Sequence, residues 1–274
     1  MNHNKEIYFH VGLAKTATTF LQYQVFPEFE NVEYLQRTKY RKFKENIENT
    51  KSDKVFISNE FDCQLEREVD KFSQYYPQTK SIIVLRRHDK WMASQYRRAV
   101  KNGNTHLFTD FIDLENDEGD WKQKNTYFYP KIKHLEEKFD HKPLVVFFED
   151  LKKDVFAFID QFADYMGADY DPQQIDTTPK HKSYNEKQLK VIRKLDQTVF
   201  NSEVEYSDVY LIRKLQRWKK MLPRYFVLYS SLLLPEHWID EQPLIPDEEL
   251  QKVREFYEED WKKCKEYAAN NNQG

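Results

Sequence analysis

The segment HVGLAKTATTFLQ (His10–Gln22) decides the fold, because it joins an apolar run to a helix-like stretch through a short polar loop. The residues Ile7–Val11 before the loop are mostly apolar, which is typical of a strand buried in a parallel sheet. The residues after it, Thr18–Phe26, predict a helix that ends before Pro27. Only 5 glycines occur among 274 residues, so Gly12 at this junction indicates a special requirement of the backbone.

Four more short apolar runs predict further strands of the same sheet: Val32–Leu35, Val55–Ser58, Ser81–Leu85 and Leu144–Phe148. Apolar residues three and four positions apart predict helices between and after them: Lys90–Asn102, Tyr129–Phe139, Val155–Met166, Glu186–Val199, Tyr206–Met221 and Asp247–Tyr267. The run Tyr225–Leu234 fits either type of element. This alternation predicts an α/β fold with a central parallel sheet of about five strands flanked by helices.

We expect a single domain over residues 1–274, in which an α/β core (1–165) carries a mainly helical C-terminal part (166–274). A net charge of −3 gives no reason to expect a nucleic acid partner, whose phosphates would require a basic surface. Two cysteines are too few for a disulfide framework or a zinc site, and no signal-peptide pattern opens the sequence, so we expect a cytoplasmic protein. The longest apolar stretch, Tyr225–Pro235, is too short to span a membrane.

The residue types of the loop are suited to binding an anion. The first amides of a helix lack partners within the helix, and the helix dipole adds positive potential at that end. Lys15 adds a formal charge, and the hydroxyls of Thr16, Thr18 and Thr19 are further donors. The spacing differs from the nucleotide P-loop G-x-x-x-x-G-K-[ST], because Lys15 follows Gly12 by only three positions. Phosphate or sulfate fits this donor set, and a threonine-rich helix cap with an incidental lysine is the alternative.

The loop resembles the 5′-phosphosulfate loop of sulfotransferases that use 3′-phosphoadenosine-5′-phosphosulfate (PAPS), in particular their bacterial, carbohydrate-type branch. That pattern reads G-x-P-K-[ST]-G-T-T-x-L after the first strand, and it is matched here by Gly12, Lys15, Thr16, Thr18, Thr19 and Leu21. Ala14 and Ala17 replace the usual proline and glycine. Ala17, which the resemblance places among the cofactor-binding residues, is expected to be helical with a negative φ. The resemblance implies a P-loop-like sulfotransferase architecture.

A second match lies in SIIVLRRHDKWMASQYRRAVKNG. The resemblance implies a site for the 3′-phosphate of PAPS made by an arginine at a strand end and a serine eight positions later, and Arg86 and Ser94 occupy these positions. A phosphomonoester favours a guanidinium fork and a hydroxyl donor. An ordinary strand-end charge and a helix-face serine are the alternative for these two residues. The segment PKHKSYNEKQ resembles the basic stretch that closes over the cofactor, which makes Lys180 and Lys182 further candidates. We interpret Trp91 as a buried helix aromatic, and stacking on the adenine of the cofactor is the alternative.

Glu60 follows the predicted strand Val55–Ser58, and ligands of open α/β sheets bind beyond such strand ends. The resemblance implies that it is the general base for the acceptor and that Lys15 stabilises charge on the bridging oxygen. A carboxylate that holds Mg²⁺ for phosphoryl transfer and an ordinary helix N-terminal charge are the alternatives for Glu60. His10 and His88 are other candidate bases, although His10 lies within the first strand.

The resemblance implies a transferase that moves a sulfuryl group from PAPS to a hydroxyl or amine of a small-molecule or glycan acceptor. The product would be 3′,5′-adenosine bisphosphate (PAP), and no metal would be required. Two other functions remain open at this point. One is an ATP-dependent small-molecule kinase of the P-loop type, and the other is a non-catalytic protein that binds an anion or an acidic partner on the same fold.

Overall fold

The computed structural model describes residues 5–178, 184–200, 207–239 and 241–272, without the side chain of Lys220. Five strands form one sheet in the order β2-β3-β1-β4-β5, and every neighbouring pair is parallel. Their bounds are β1 Glu6–Gly12, β2 Glu33–Leu35, β3 Lys54–Glu60, β4 Lys80–Leu85 and β5 Leu144–Phe147. The predicted fold class, a parallel α/β sheet flanked by helices, is therefore confirmed.

The α-helices are α1 Thr18–Phe20, α2 Phe43–Asn49, α3 Leu65–Ser73, α4 His88–Lys101, α5 Phe108–Phe111, α6 Tyr129–Lys138, α7 Phe148–Leu151, α8 Val155–Met166, α9 Glu186–Thr198, α10 Tyr210–Ser230, α11 Asp247–Phe256 and α12 Glu258–Asn271. Short 3-10 turns lie at Phe26–Glu28, Arg37–Lys42, Gln123–Asn125, Pro172–Gln174, Ser231–Leu233 and Glu236–Trp238, and Leu21–Val25 is a π-helical turn. Within the described ranges, no helix is both long and apolar enough to cross a bilayer.

The structure resolves one ambiguous run and corrects one predicted helix. The ambiguous run Tyr225–Leu234 supplies the last turns of α10, which continues through Pro223 to Ser230. The predicted helix Asp247–Tyr267 is interrupted at Tyr257, where φ is −101° and ψ is 11°. The buried Tyr257 ring stacks on His88 with a centroid separation of 4.8 Å, which fixes the chain at the interruption.

The chain divides into two compact units, each considered by itself below. The first comprises Met1–Trp91, Gln123–Lys180 and Val253–Gly274 and contains the whole sheet. Successive side chains of β1 point to opposite faces of the sheet. Phe9 stacks on Phe72 on one face, whereas Tyr8 joins the apolar cluster around Phe26 on the other. Both faces are thus covered, which explains the continuously apolar strands.

The second unit comprises Met92–Lys122 and His181–Lys252. Polar contacts join its two long helices. The side-chain amide of Gln188 in α9 donates to the Leu228 carbonyl oxygen in α10 at 2.7 Å. The buried Arg224 guanidinium of α10 binds the carboxylate of Asp196 in α9. Helix α4 contributes residues to both units, so the expectation of one domain over residues 1–274 stays a prediction.

Candidate active site

The loop between β1 and α1 lies at the carboxyl edge of the sheet, and its first residue, Gly12, has no room for a side chain. A Cβ at this position would lie 2.6 Å from Cγ2 of Thr18 and 2.9 Å from Cε1 of His10. The Gly12 carbonyl oxygen also accepts a hydrogen bond of 2.7 Å from the Phe61 amide. Close packing on both sides therefore requires glycine here, whereas its φ is not in the left-handed region.

Lys15 and Ala17 adopt left-handed backbone conformations, with φ values of 72° and 64°. The expectation of a negative φ at Ala17 was therefore wrong. Ala17 precedes the first residue of α1, and the chain enters that helix through a left-handed turn. This conformation costs a non-glycine residue about 1–2 kcal/mol, because Cβ crowds the following carbonyl oxygen. The loop keeps the shape that a glycine at position 17 would favour, although it carries alanine.

Side chains distant in sequence hold the loop in place. The Asp62 carboxylate accepts a hydrogen bond of 2.9 Å from the Ala14 amide, and the indole N–H of Trp91 donates to the Ala14 carbonyl oxygen at 2.8 Å. Within the loop itself, the buried Thr16 hydroxyl donates to the Leu13 carbonyl oxygen at 2.7 Å. Trp91 is fully buried, as expected, and it positions the loop. Sequence reasoning missed Asp62, whose only signal is a carboxylate just after a strand end.

Glu60, the last residue of β3, lies beside the loop. Its strand neighbour in the register is Gly12, and its Oε1 accepts a hydrogen bond from the hydroxyl of Thr18. The other carboxylate oxygen, Oε2, lies 3.9 Å from Nη1 of Arg37. About a quarter of the Glu60 side chain is exposed to solvent. The structure thus brings Glu60 and Thr18 together and leaves one carboxylate oxygen beside a cation.

Arg86 follows β4 and reaches the same loop. Its Nη1 donates to the Lys15 carbonyl oxygen at 3.1 Å, and its guanidinium lies over the Phe148 ring at 4.6 Å. Lys15 is half-buried and Thr19 is exposed. Arg86 and the loop are therefore neighbours.

The other three predicted cofactor-binding residues are Ser94, Lys180 and Lys182, and none of them is a described residue of the first unit. Ser94 is half-buried in α4 and belongs to the second unit. Lys180 and Lys182 lie outside the described residues. The roles assigned to these three residues stay predictions.

Both histidines considered as bases are buried. His10 is completely inaccessible, burial lowers its pKa to about 3, and its Nδ1 lies 2.8 Å from the Ser58 hydroxyl oxygen. His88 stacks on Phe128 at 4.2 Å, and its Nε2 lies 3.0 Å from Oδ2 of Asp260. Burial lowers the pKa of His88, and the Asp260 carboxylate opposes this shift. Neither imidazole is therefore exposed to solvent.

An open cleft of about 410 Å³ adjoins Glu60 within the first unit. Four cationic side chains line it together with two carboxylates, and one of the carboxylates, Glu68, is bound by Arg67 at 2.9 Å. The complete lining is Arg37, Tyr40, Arg41, Asn59, Glu60, Phe61, Gln64, Arg67, Glu68 and Lys71.

A larger cleft, of about 530 Å³, lies within the second unit. Its lysines are paired with its own carboxylates, since Lys190 lies 3.0 Å from Glu186 and Lys187 lies 3.7 Å from Glu236. It contains none of the predicted site residues, so we place the candidate active site at the carboxyl edge of the sheet. Among the described residues, no group of three or more His, Cys, Asp or Glu side chains is arranged to hold a metal ion.

Comparisons with known proteins give little further information. No family model matches the chain, and no curated protein does. Among solved structures, a sulfotransferase from Alicyclobacillus acidocaldarius superposes with a TM-score of 0.49 at 13% sequence identity, over 85% of this chain and 98% of that one. A likeness this distant carries no argument about function, which is inferred below from the residues of the site alone.

Proposed function

We propose that this protein is a PAPS-dependent sulfotransferase that transfers a sulfuryl group to a hydroxyl or amine of its acceptor. The observation that carries the proposal is the meeting of three elements at one sheet edge: the Gly12–Thr19 loop with Lys15, the carboxylate of Glu60, and the guanidinium of Arg86. A nucleotide with phosphate at both its 3′ and 5′ positions needs cationic groups at two separate points. Lys15 and Arg86 supply one cation each.

The residues present fit such a ligand in the chemistry of their donors. Lys15, with the loop amides and the Thr19 hydroxyl, would hold the 5′-phosphosulfate, and Arg86 would hold the 3′-phosphate. Arg86 would then exchange its bond to the Lys15 carbonyl oxygen for the phosphate. The hydroxyls of Thr16 and Thr18 have acceptors within the protein, so we assign them to shaping the loop and orienting Glu60. Bound PAPS supplies an activated sulfuryl group.

The chain's own contribution to the reaction centres on Glu60. Thr18 fixes one carboxylate oxygen, so the other, Oε2, is the atom that takes the proton from an acceptor hydroxyl in the adjoining cleft. Arg37 lies 3.9 Å from Oε2 and lines the same cleft, so it places a positive charge beside the acceptor. Lys15 would stabilise negative charge on the departing phosphate as the bond to sulfur breaks.

The cations of the cleft bear on the type of acceptor. Arg37, Arg41, Arg67 and Lys71 outnumber the carboxylates of Glu60 and Glu68 by two. An acceptor that carries acidic groups beside its reactive hydroxyl complements this lining. We therefore expect an anionic small molecule or an acidic glycan as acceptor.

Calorimetric titration with PAP and with ADP tests the proposal. We expect PAP to bind at least about tenfold more tightly, because only PAP offers a 3′-phosphate to Arg86. Equal or tighter binding of ADP would contradict the proposal and favour an ATP-dependent kinase. Tight PAP binding without sulfate transfer from PAPS to any acceptor would favour a non-catalytic binding protein. Lys15→Ala should abolish transfer, and Glu60→Gln should reduce kcat about 100-fold or more while PAP still binds.

A further inference from the structure

Helix α10 exposes a continuous apolar stripe. Leu211, Leu215, Trp218, Leu222, Phe226 and Tyr229 recur every three or four residues and therefore share one helix face. These side chains are between 52% and 75% exposed, and Leu233 in the next turn is 87% exposed. A helix of a globular protein normally turns its apolar face to the core, so this orientation is the reverse of the usual one.

Buried contacts on another face of α10 fix this orientation. Arg224 is buried, binds the Asp196 carboxylate, and donates to the Lys101 carbonyl oxygen at 2.9 Å. Leu228, one turn later, is also buried. At about 100° per residue, the face of Arg224 and Leu228 lies roughly 130° from the centre of the apolar stripe. The stripe is therefore directed away from its own unit.

The charged residues of α10 and of the turn that follows it are all basic. Residues 209–235 include six lysines and arginines and no aspartate or glutamate. Lys214 and Lys219 are both exposed, and the helical geometry places one on each side of the stripe. Lysines beside an apolar stripe can extend their stems along it while the ammonium groups reach a polar layer.

An anionic phospholipid surface complements both features. Its acyl boundary accepts the apolar stripe and its headgroups accept the flanking lysines, while tryptophan and tyrosine side chains such as Trp218 and Tyr229 favour the headgroup level. A second copy of α10 is a poorer partner, because the lysines flanking its stripe would face those of the first copy. We propose that α10 docks the protein on anionic membranes, lying in the plane of the interface with its apolar stripe inserted.

Co-sedimentation of the full chain with lipid vesicles tests the proposal. We expect binding to phosphatidylcholine vesicles in which phosphatidylglycerol replaces about a third of the lipid, and much weaker binding to phosphatidylcholine alone. Added salt should weaken the binding, because it screens the lysines. Absence of binding to the anionic vesicles at low salt would overturn the proposal.

Two double variants separate the apolar from the electrostatic contribution. Leu215→Ser with Leu222→Ser should abolish vesicle binding. Lys214→Gln with Lys219→Gln should lower the affinity for anionic vesicles about 25-fold, or fivefold per lysine. The matched control is Lys152→Gln with Lys153→Gln, an exposed pair in the first unit, which should lower it less than twofold.

All four positions on α10 are exposed, and circular dichroism would verify that the variants are folded. Sedimentation velocity of the unmodified protein shows whether it forms a dimer, which is the alternative to membrane docking. A dimer that Leu215→Ser with Leu222→Ser dissociates, without any vesicle binding, would mean that a second copy covers the stripe, and the proposal would be wrong. An equal loss in the control pair would also contradict it.

Discussion

The Arg86 guanidinium donates to the backbone carbonyl oxygen of Lys15 at 3.1 Å, which links the end of β4 to the loop after β1. Lys15 has a left-handed backbone, with a φ of 72°, so this hydrogen bond acts on a residue in a conformation of raised energy. Arg86 therefore has two roles in our proposal: it supports the loop in the free protein and binds the 3′-phosphate in the complex.

Arg86→Gln should separate these roles. We expect the Kd for PAP to rise about 10–100-fold, since a charge-assisted contact to phosphate is lost. The affinity for adenosine 5′-phosphosulfate, which has no 3′-phosphate, should change less than about threefold. Isothermal calorimetry measures both, with Arg87→Gln as the control because the Arg87 guanidinium is bound to Asp89 at 2.7 Å. An equal loss for the two ligands would mean that Arg86 only supports the loop.

Ala17→Gly should stabilise the protein. The substitution relieves about 1–2 kcal/mol of left-handed strain at Ala17, and the greater freedom of glycine in the unfolded chain offsets about 0.5–1 kcal/mol of that. We expect a net gain of up to about 1.5 kcal/mol in the free energy of unfolding, measured with urea. The control, Ala99→Gly within α4, should cost about 1 kcal/mol. A comparable loss at position 17 would show that its backbone is not left-handed in solution.

Stability should fall as the pH is lowered from about 6.5 toward 3. Burial lowers the pKa of His10 to about 3, so between these values the unfolded chain binds a proton that folded His10 does not. The free energy of unfolding therefore decreases by up to about 1.4 kcal/mol per pH unit for this group. His10→Gln should reduce by about one the number of protons taken up on unfolding in this range. A contribution of the same sign remains from His88, whose pKa burial also lowers. Urea unfolding across this pH range measures the slope, and an unchanged slope in the variant would refute the assignment.

How far the sequence predicted the site depends on the sequence distance of each contact. The strands and Gly12 were predictable, because buried parallel strands are short and continuously apolar and the loop follows directly. The contacts of Asp62 and Trp91 with Ala14 join residues 48 and 77 positions apart, and no local pattern encodes such separations. The left-handed Ala17 contradicts the preference of alanine, so tertiary contacts and not propensity set it.

The sequence alone did not assign the run Tyr225–Leu234 to a helix or a strand, and the reason lies in its exposure. An apolar run is ordinarily assigned to the core, but much of this one is on the outward face of α10, where Phe226 is 75% exposed. Periodicity identifies a helix face, but it does not say whether the protein or its surroundings cover that face.

The cations beside Glu60 should select the acceptor. Arg41→Gln should lower kcat/KM about 5–10-fold for p-nitrophenyl glucuronide and leave kcat/KM for the uncharged glucoside within about twofold, because only the former carries a carboxylate. Rates of PAP formation measure both. Lys42→Gln is a matched control. Lys42 follows Arg41 in the sequence, but it lies outside the cleft and pairs with Glu45 at 3.0 Å. Equal effects on the two acceptors, or a higher wild-type kcat/KM for the glucoside, would contradict the expectation of an anionic acceptor.

Removing one partner of the buried ion pair between Arg224 and Asp196 should strongly destabilise the protein, whereas replacing both partners by apolar residues should not. Both side chains are only 2% exposed, so Asp196→Ala leaves a guanidinium buried without its counter-charge. We expect a loss of about 3–5 kcal/mol in the free energy of unfolding. Asp196→Leu combined with Arg224→Met should recover most of it, because both desolvated charges are then removed.

Urea denaturation of the single and double variants measures this effect, and the second unit supplies its own control. Asp208 and Arg213 form an exposed pair at 3.9 Å, and Asp208→Ala should cost less than about 1 kcal/mol. A double variant no more stable than Asp196→Ala would mean that hydrogen bonds of Arg224, such as that to the Lys101 carbonyl oxygen, outweigh its charge. In that case α10 would be anchored by the backbone contacts of the guanidinium, and the carboxylate would be a secondary partner.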